Sequence, residues 1–259
     1  MRYSIEEALL AGSLFFGMLL LFEIGRRIGI ARHRRDPEGI GKGSGPVEAA
    51  VFGLLGLLLA LTFSGAASRF EDRRHLITEE ANAIGTAYLR IDLLPPDTQP
   101  AIRQLFVRYL QTRTDIYRDA EDIAATQARA AETNALQGEI WSKAVSASRR
   151  PDAATQAAIL LLPALNAMID ITTTRAVAMQ NHPPRVIFFL LAALSLVSAL
   201  LAGYVMCSTA VRSWFYMLLF AATMSATFLV ILDLEFPRFG LIRIDEADKV
   251  LVELRNLVR

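Results

Sequence analysis

Apolar positions along the chain gather into four long runs separated by polar stretches. The first covers Ala8 to Gly29 and is interrupted by Glu23, Arg26 and Arg27. The second, Val47 to Ala67, has no charge between Glu48 and Arg69. The third covers Val186 to Met206 and the fourth Trp214 to Leu232. A membrane-crossing helix needs about 20 mostly apolar residues. Each run therefore predicts one span, about 8–29, 47–67, 186–206 and 214–232. A signal peptide is a poor account of the first run, because its start carries Glu6 and Glu7 where a signal carries positive charge. Only Ala31 to Pro46 separates spans one and two, and only Cys207 to Ser213 separates spans three and four. Both pairs are expected to form tight antiparallel hairpins.

The predicted class is an all-α membrane protein with two transmembrane hairpins and a helical extramembrane insertion between spans two and three. The expected division is 1–67 for the first hairpin and its basic loop, 68–185 for the insertion, 186–232 for the second hairpin, and 233–259 for a carboxyl-terminal tail helix. Within the insertion, Phe70, Ile77, Ala81, Ile84, Tyr88 and Ile91 recur at spacings of 7, 4, 3, 4 and 3. That is one apolar stripe on a helix continuing straight out of span two. Pro95-Pro96 must end it, because the ring removes a donor and clashes with the preceding turn. A second helix begins near Asp97 or Thr98 with Pro100 in its first turn, and carries Ile102, Leu105, Phe106, Tyr109 and Ile116. A third, Ala120 to Ser148, has a weak stripe of Ile123, Leu136, Ile140 and Trp141. Asp152 is placed to cap the next helix. The apolar segment Ala157 to Ile169 is too short to span and contains Pro163, so it reads as a buried core helix.

Composition and charge narrow the function. With 53% hydrophobic and 20% charged residues the chain is neither disordered nor an ordinary soluble domain. A net charge of +1 gives no basic field to draw nucleic acid. Cys207 is the sole cysteine, so no intrachain disulfide exists, and no cofactor or metal is expected. The glycine-rich "GIGKGSGP" lacks the spacing of a phosphate-binding loop and follows no strand. No nucleophile–base set is visible, so an enzyme is not expected. His33, His75 and His182 read as surface or interfacial residues.

The polar residues of the spans are the remaining candidates. Glu23 is expected to pair at the interface with Arg27, four residues on; the sharper alternative is an ion-coordinating residue at a pore mouth. Asp233 and Glu235 end span four, where carboxylates oppose the helix dipole. Solvated interfacial acids are the plain expectation, with Arg238, Arg212 or a neighbouring subunit's arginine as the compensating partner otherwise. Span two has small residues at Gly53, Gly56, Ala60, Ser64 and Ala67, a face suited to close helix packing in lipid. Gly53, Leu57, Leu61 and Gly65 form another row advancing by four. Around an axis such a row would make a hydrophobic constriction; otherwise it is helix-packing or lipid-facing leucine.

Gly56 to Arg90, "GLLLALTFSGAASRFEDRRHLITEEANAIGTAYLR", and Ile231 to Asp245, "ILDLEFPRFGLIRID", resemble a bacterial bestrophin-like membrane protein family, formerly a domain of unknown function. That family is distantly similar to bestrophin ion channels. The resemblance implies a homo-oligomer, a pentamer, of the bacterial inner membrane, conducting ions and mostly anions, with span two lining the pore. Matching Arg69 to the arginine at the foot of that helix implies pore-neck positions at Gly53, Leu57 and Leu61. Thr62 and Ser64 would then offer hydroxyls to a dehydrating ion, and Phe70, Ile77, Ile84, Tyr88 and Ile91 would pack the extended helix. Phe70-Glu71 stands where many bestrophins have two tryptophans. The resemblance also implies a cytoplasmic insertion. The basic count of the first connection (Arg26, Arg27, Arg32, Arg34, Arg35 and Lys42, against Arg2 before span one) predicts the opposite orientation. The rival reading is a non-conducting scaffold or sensor whose helical insertion binds a partner.

Overall fold

The structure, a computed structural model, describes residues 2–35, 45–115, 123–206, 214–238 and 240–258. Ile116, Cys207, Arg212, the side chain of Ile123 and most of both hairpin connections lie outside the described residues. Every regular element described is helical. The helices are α1 (Arg2–His33), α2 (Gly45–Leu89), α3 (Gln99–Asp115), α4 (Ile123–Ser148), α5 (Ala157–Gln180), α6 (Arg185–Val205), α7 (Trp214–Glu235) and α8 (Asp245–Val258), with a 3₁₀ turn at Arg90–Leu93. Four segments are long and apolar enough to cross a membrane: Glu7–His33, Gly45–Leu93, Ala157–Val205 and Trp214–Glu235. The third of these is interrupted at residues 181–184, which separate α5 from α6.

The chain divides into two compact units, Met1–Phe70 with His182–Ile242, and Glu71–Asn181 with Arg243–Arg259. The tail divides between them, its helix α8 belonging to the second unit. Helix α2 runs unbroken through Ser68 for 45 residues. At 1.5 Å per residue that is about 68 Å, more than twice the roughly 30 Å hydrocarbon thickness. Its polar half must therefore leave the lipid.

In the first unit, α1 packs on α6 and α7. The closest approach is made by glycines. A Cβ at Gly25 would stand 2.0 Å from the Leu200 carbonyl oxygen, and one at Gly203 would stand 2.1 Å from that of Phe22. Only hydrogen side chains let the two backbones touch. Met18, Phe22, Ala199, Ala221 and Ile231 fill the interior. Leu9, Phe16, Leu20, Phe189 and Phe215 point outward and are exposed. Water would not tolerate so much outward apolar surface, whereas lipid does. By contrast α2 makes no comparably close backbone approach to another helix among the described residues. A space of about 230 Å³, lined by Leu58, Thr62, Gly65, Ile187 and Leu191 among others, lies between it and α6.

In the second unit, Ile77, Ala81, Ile84 and Ile91 are buried and Tyr88 is partly so. They meet Ile102, Leu105, Phe106 and Tyr109 of α3 and Leu136 and Ile140 of α4. Tyr88 packs edge-on to Phe106, lies under the Arg103 guanidinium, and donates its hydroxyl to the Val258 carbonyl, 3.3 Å away. Phe70 departs from the stripe. It packs with the membrane cluster of the first unit, because it lies a full seven residues before Ile77. The α2 helix ends at Leu89, and the 3₁₀ turn carries Ile91 up to the two prolines.

Helix α5 continues past Ile169 to Gln180 despite Pro163, and buries Leu161, Ala164, Leu165 and Met168. Asp152 does not cap it. The N-cap position is Gln156 without a side-chain bond, and Asp152 is held by Arg150 at 2.9 and 2.7 Å. Arg150 also reaches Asp97, so the shorter ion-pair route wins over the cap. The far end of α5 is closed by the buried Arg73, which donates to the carbonyls of Ala178 and Asn181 at 3.2 and 3.0 Å. Those carbonyls have no further helical turn to bond. A buried charge network crosses this unit. Glu80 accepts from Arg113 at 2.5 Å and from Arg175, and Arg175 stands 3.6 Å from Asp248. Two cations and two anions leave it neutral.

Candidate functional site: the bare face of helix α2 and its charged foot

Helical phase sorts the membrane half of α2 into two sides. Leu55, Thr62 and Ala66 are buried, at spacings of 7 and 4. At 3.6 residues per turn these point one way, and Gly53, Leu57, Leu61 and Ser64 point roughly the opposite way. All four of the latter are exposed, as are Gly56 and Ala60. Leu57 and Leu61 are 57% and 62% accessible, although each is surrounded by an apolar sequence. A Cβ at Gly53 or Gly56 would meet nothing within 4 Å. Most of the small-residue face is thus uncovered among the described residues, while Ala67 packs against the core of the first unit. Thr62 does not join the exposed side: it is buried and donates to the Leu58 carbonyl of its own helix at 2.6 Å. Of the two hydroxyl candidates, Ser64 alone lies on the leucine side.

Below this face stands Arg69. Its Nε donates to Glu235 Oε1 at 2.9 Å and its Nη2 reaches the same oxygen. The Glu235 side chain is wholly buried, and its other oxygen lies 3.3 Å from His182 Nδ1. The His182 ring stacks on Phe236, with centroids 4.7 Å apart at 28°. One carboxylate therefore joins α2, the end of α7 and the residue that opens the approach to α6. Asp233, also buried, accepts the backbone N–H groups of Leu241 at 2.9 Å and Ile242 at 2.7 Å. Its carboxylate folds the chain back after α7. Gly240 sits against it so tightly that a Cβ there would fall 1.2 Å from Asp233 Oδ1.

These contacts correct the expectation of solvated acids at the end of span four. Both carboxylates are inside, and each has a partner distant from it in sequence or in the backbone. Glu235 is matched by Arg69, 166 positions away, and Asp233 by two amides. Sequence held a signal for the pair, a lone arginine ending an uncharged span, but nothing to say which acid it meets. Glu23 behaves as the simpler expectation holds. It accepts from Arg27 at 2.9 Å and from Arg26 at 3.2 Å, both on its own helix. Among the described residues no group of three or more metal-ligating side chains gathers. What the site offers is a bare apolar strip of helix anchored at one end by a buried ion pair.

A family model for the Bestrophin-like domain matches residues 12–248. Among solved structures, a point variant of a bacterial bestrophin homologue from Klebsiella pneumoniae shares 14% identity at a TM-score of 0.71, covering 95% of this chain and 99% of that one. A second variant of that homologue shares 15% at a TM-score of 0.68, covering 94% and 97%. A variant described only as a membrane protein shares 16% at a TM-score of 0.71, covering 94% and 96%. The curated proteins contain no match to this chain. Likeness along nearly the whole length of both chains fixes the fold despite low identity, and the matched domain takes in the four apolar segments and the insertion together. The chain belongs to the Bestrophin-like family.

Proposed function

We propose that this chain is the subunit of a homo-oligomeric ion channel of the bacterial inner membrane. Its four spans cross as two hairpins, with five copies around an axis and α2 lining the path. Anions are the first candidate cargo, by the resemblance to bestrophins. The observation that carries the reading is the bare face of α2. Gly53, Leu57, Leu61 and Ser64 lie opposite the side that packs on the chain itself and are exposed among the described residues. Copies meeting through this face would bring Leu57 and Leu61 toward the axis, where leucine rings restrict flux by dewetting. Ser64 would supply a hydroxyl one turn below. Passive conduction asks for no catalytic residue.

The test is ion flux into liposomes carrying the purified protein. Leu57→Ala and Leu61→Ala are expected to raise flux several-fold by widening the neck. Flux indistinguishable from wild type in both variants would remove the neck from this face. A particle image in detergent gives the second readout. An axial path through a ring of subunits supports the channel, and a closed dimer without one supports the scaffold reading.

A further inference from the structure

The first unit has a second feature that pore formation does not use. A cleft of about 580 Å³ is bounded by α1, α6 and α7. This size lies within the roughly 300–1,000 Å³ of ordinary ligand sites. Its wall is made by Leu10, Leu14, Phe188, Leu196 and Phe228, with Phe189 exposed at its side. The hydroxyl of Ser13 in that wall is already spent on the Leu10 carbonyl at 2.8 Å. With no free hydroxyl donor along it, this wall suits an apolar chain. One end of the cleft differs. It is formed by His182, Pro183 and Arg185, the residues that lead into α6. Arg185 is exposed and makes no hydrogen bond or ion pair with any described residue. It also stands in the first turn of α6, where the helix dipole adds to its attraction for an anion.

We propose that this cleft holds an acyl chain of an anionic phospholipid, with the lipid phosphate paired to Arg185. The wall belongs to helices that are themselves long and apolar enough to lie in lipid, so acyl chains are the medium at its open side. An arginine guanidinium matches a phosphate with two parallel hydrogen bonds. Basic pockets between membrane helices are a recurrent form of headgroup recognition. The site requires the membrane location but not conduction, so a failed flux assay leaves it standing.

The full chain, purified in detergent, is titrated with phosphatidylglycerol or with phosphatidylcholine of the same acyl chains, and bound lipid is read by native mass spectrometry. Phosphatidylglycerol is expected to bind about five-fold tighter, the effect of one basic residue at the headgroup level. Arg185→Gln should abolish that preference while leaving phosphatidylcholine binding unchanged, and Arg185→Lys should retain most of it. Ala192→Phe, which fills the cleft, should weaken both lipids. Equal binding of the two lipids by the wild type overturns the proposal, as does a preference that survives Arg185→Gln. A change of subunit number in Ala192→Phe also overturns it, since the cleft would then be covered by a second copy.

Discussion

Removing Arg69 isolates a wholly buried carboxylate. In the native protein the Glu235 side chain has no accessible surface, while Arg69 keeps 25%. Arg69→Ala removes both guanidinium bonds to Glu235 and leaves the His182 Nδ1 contact at 3.3 Å in place. Breaking a buried pair by deleting one member costs about 3–5 kcal/mol, because the survivor keeps its desolvation penalty and loses its attraction. The surviving histidine contact places the expected loss near the lower limit, about 3 kcal/mol. Arg69→Lys keeps the charge but not the two-nitrogen fork, and should lose roughly 1–2 kcal/mol. The combined Arg69→Met and Glu235→Leu change removes both charges and should recover most of the stability, since a well-packed apolar pair is often neutral or better. Unfolding in detergent micelles by added SDS, followed by circular dichroism, measures all four proteins on one scale. Two results would refute the reasoning: wild-type stability in Arg69→Ala, or a double variant as damaged as the single one.

Three further outcomes are expected. Gly203→Ala forces a methyl to 2.1 Å from the Phe22 carbonyl oxygen, so α1 and α6 must part, with a loss of about 1–3 kcal/mol or more; an unchanged SDS midpoint would show that the helices do not cross there. Gly240→Ala places its methyl on Asp233 Oδ1 and should break the amide contacts of Leu241 and Ile242. Hydrogen exchange at those two amides is then expected to accelerate, and unaltered protection would count against the turn. Glu80→Gln removes the carboxylate shared by Arg113 and Arg175, leaving Asp248 beside Arg175 as an anion of the network, and should cost about 3 kcal/mol; native-like resistance of the insertion to limited proteolysis would contradict the network's structural role.

Features set by near neighbours along the chain were mostly legible in the residues alone. Hydropathy runs located the four segments long and apolar enough to cross a membrane, because the need to satisfy backbone polar groups in lipid acts on each segment separately. Pro95-Pro96 stopped the helix that extends from span two, and the stripe from Ile77 to Ile91 named most of the core it enters. Even the leucine row of α2 was visible as a spacing. Tertiary structure alone decided phase and partnership. Thr62 and Leu61 are adjacent in sequence, yet one is buried and the other bare, because the side of α2 carrying Leu55 and Ala66 is the one that packs. Phe70 left its stripe for another core. Glu235 found Arg69 across 166 positions, and Gly25 met the backbone of α6. Such choices depend on which groups the fold brings within a few ångströms, where charge attraction and steric exclusion become strong. No local pattern carries that distance.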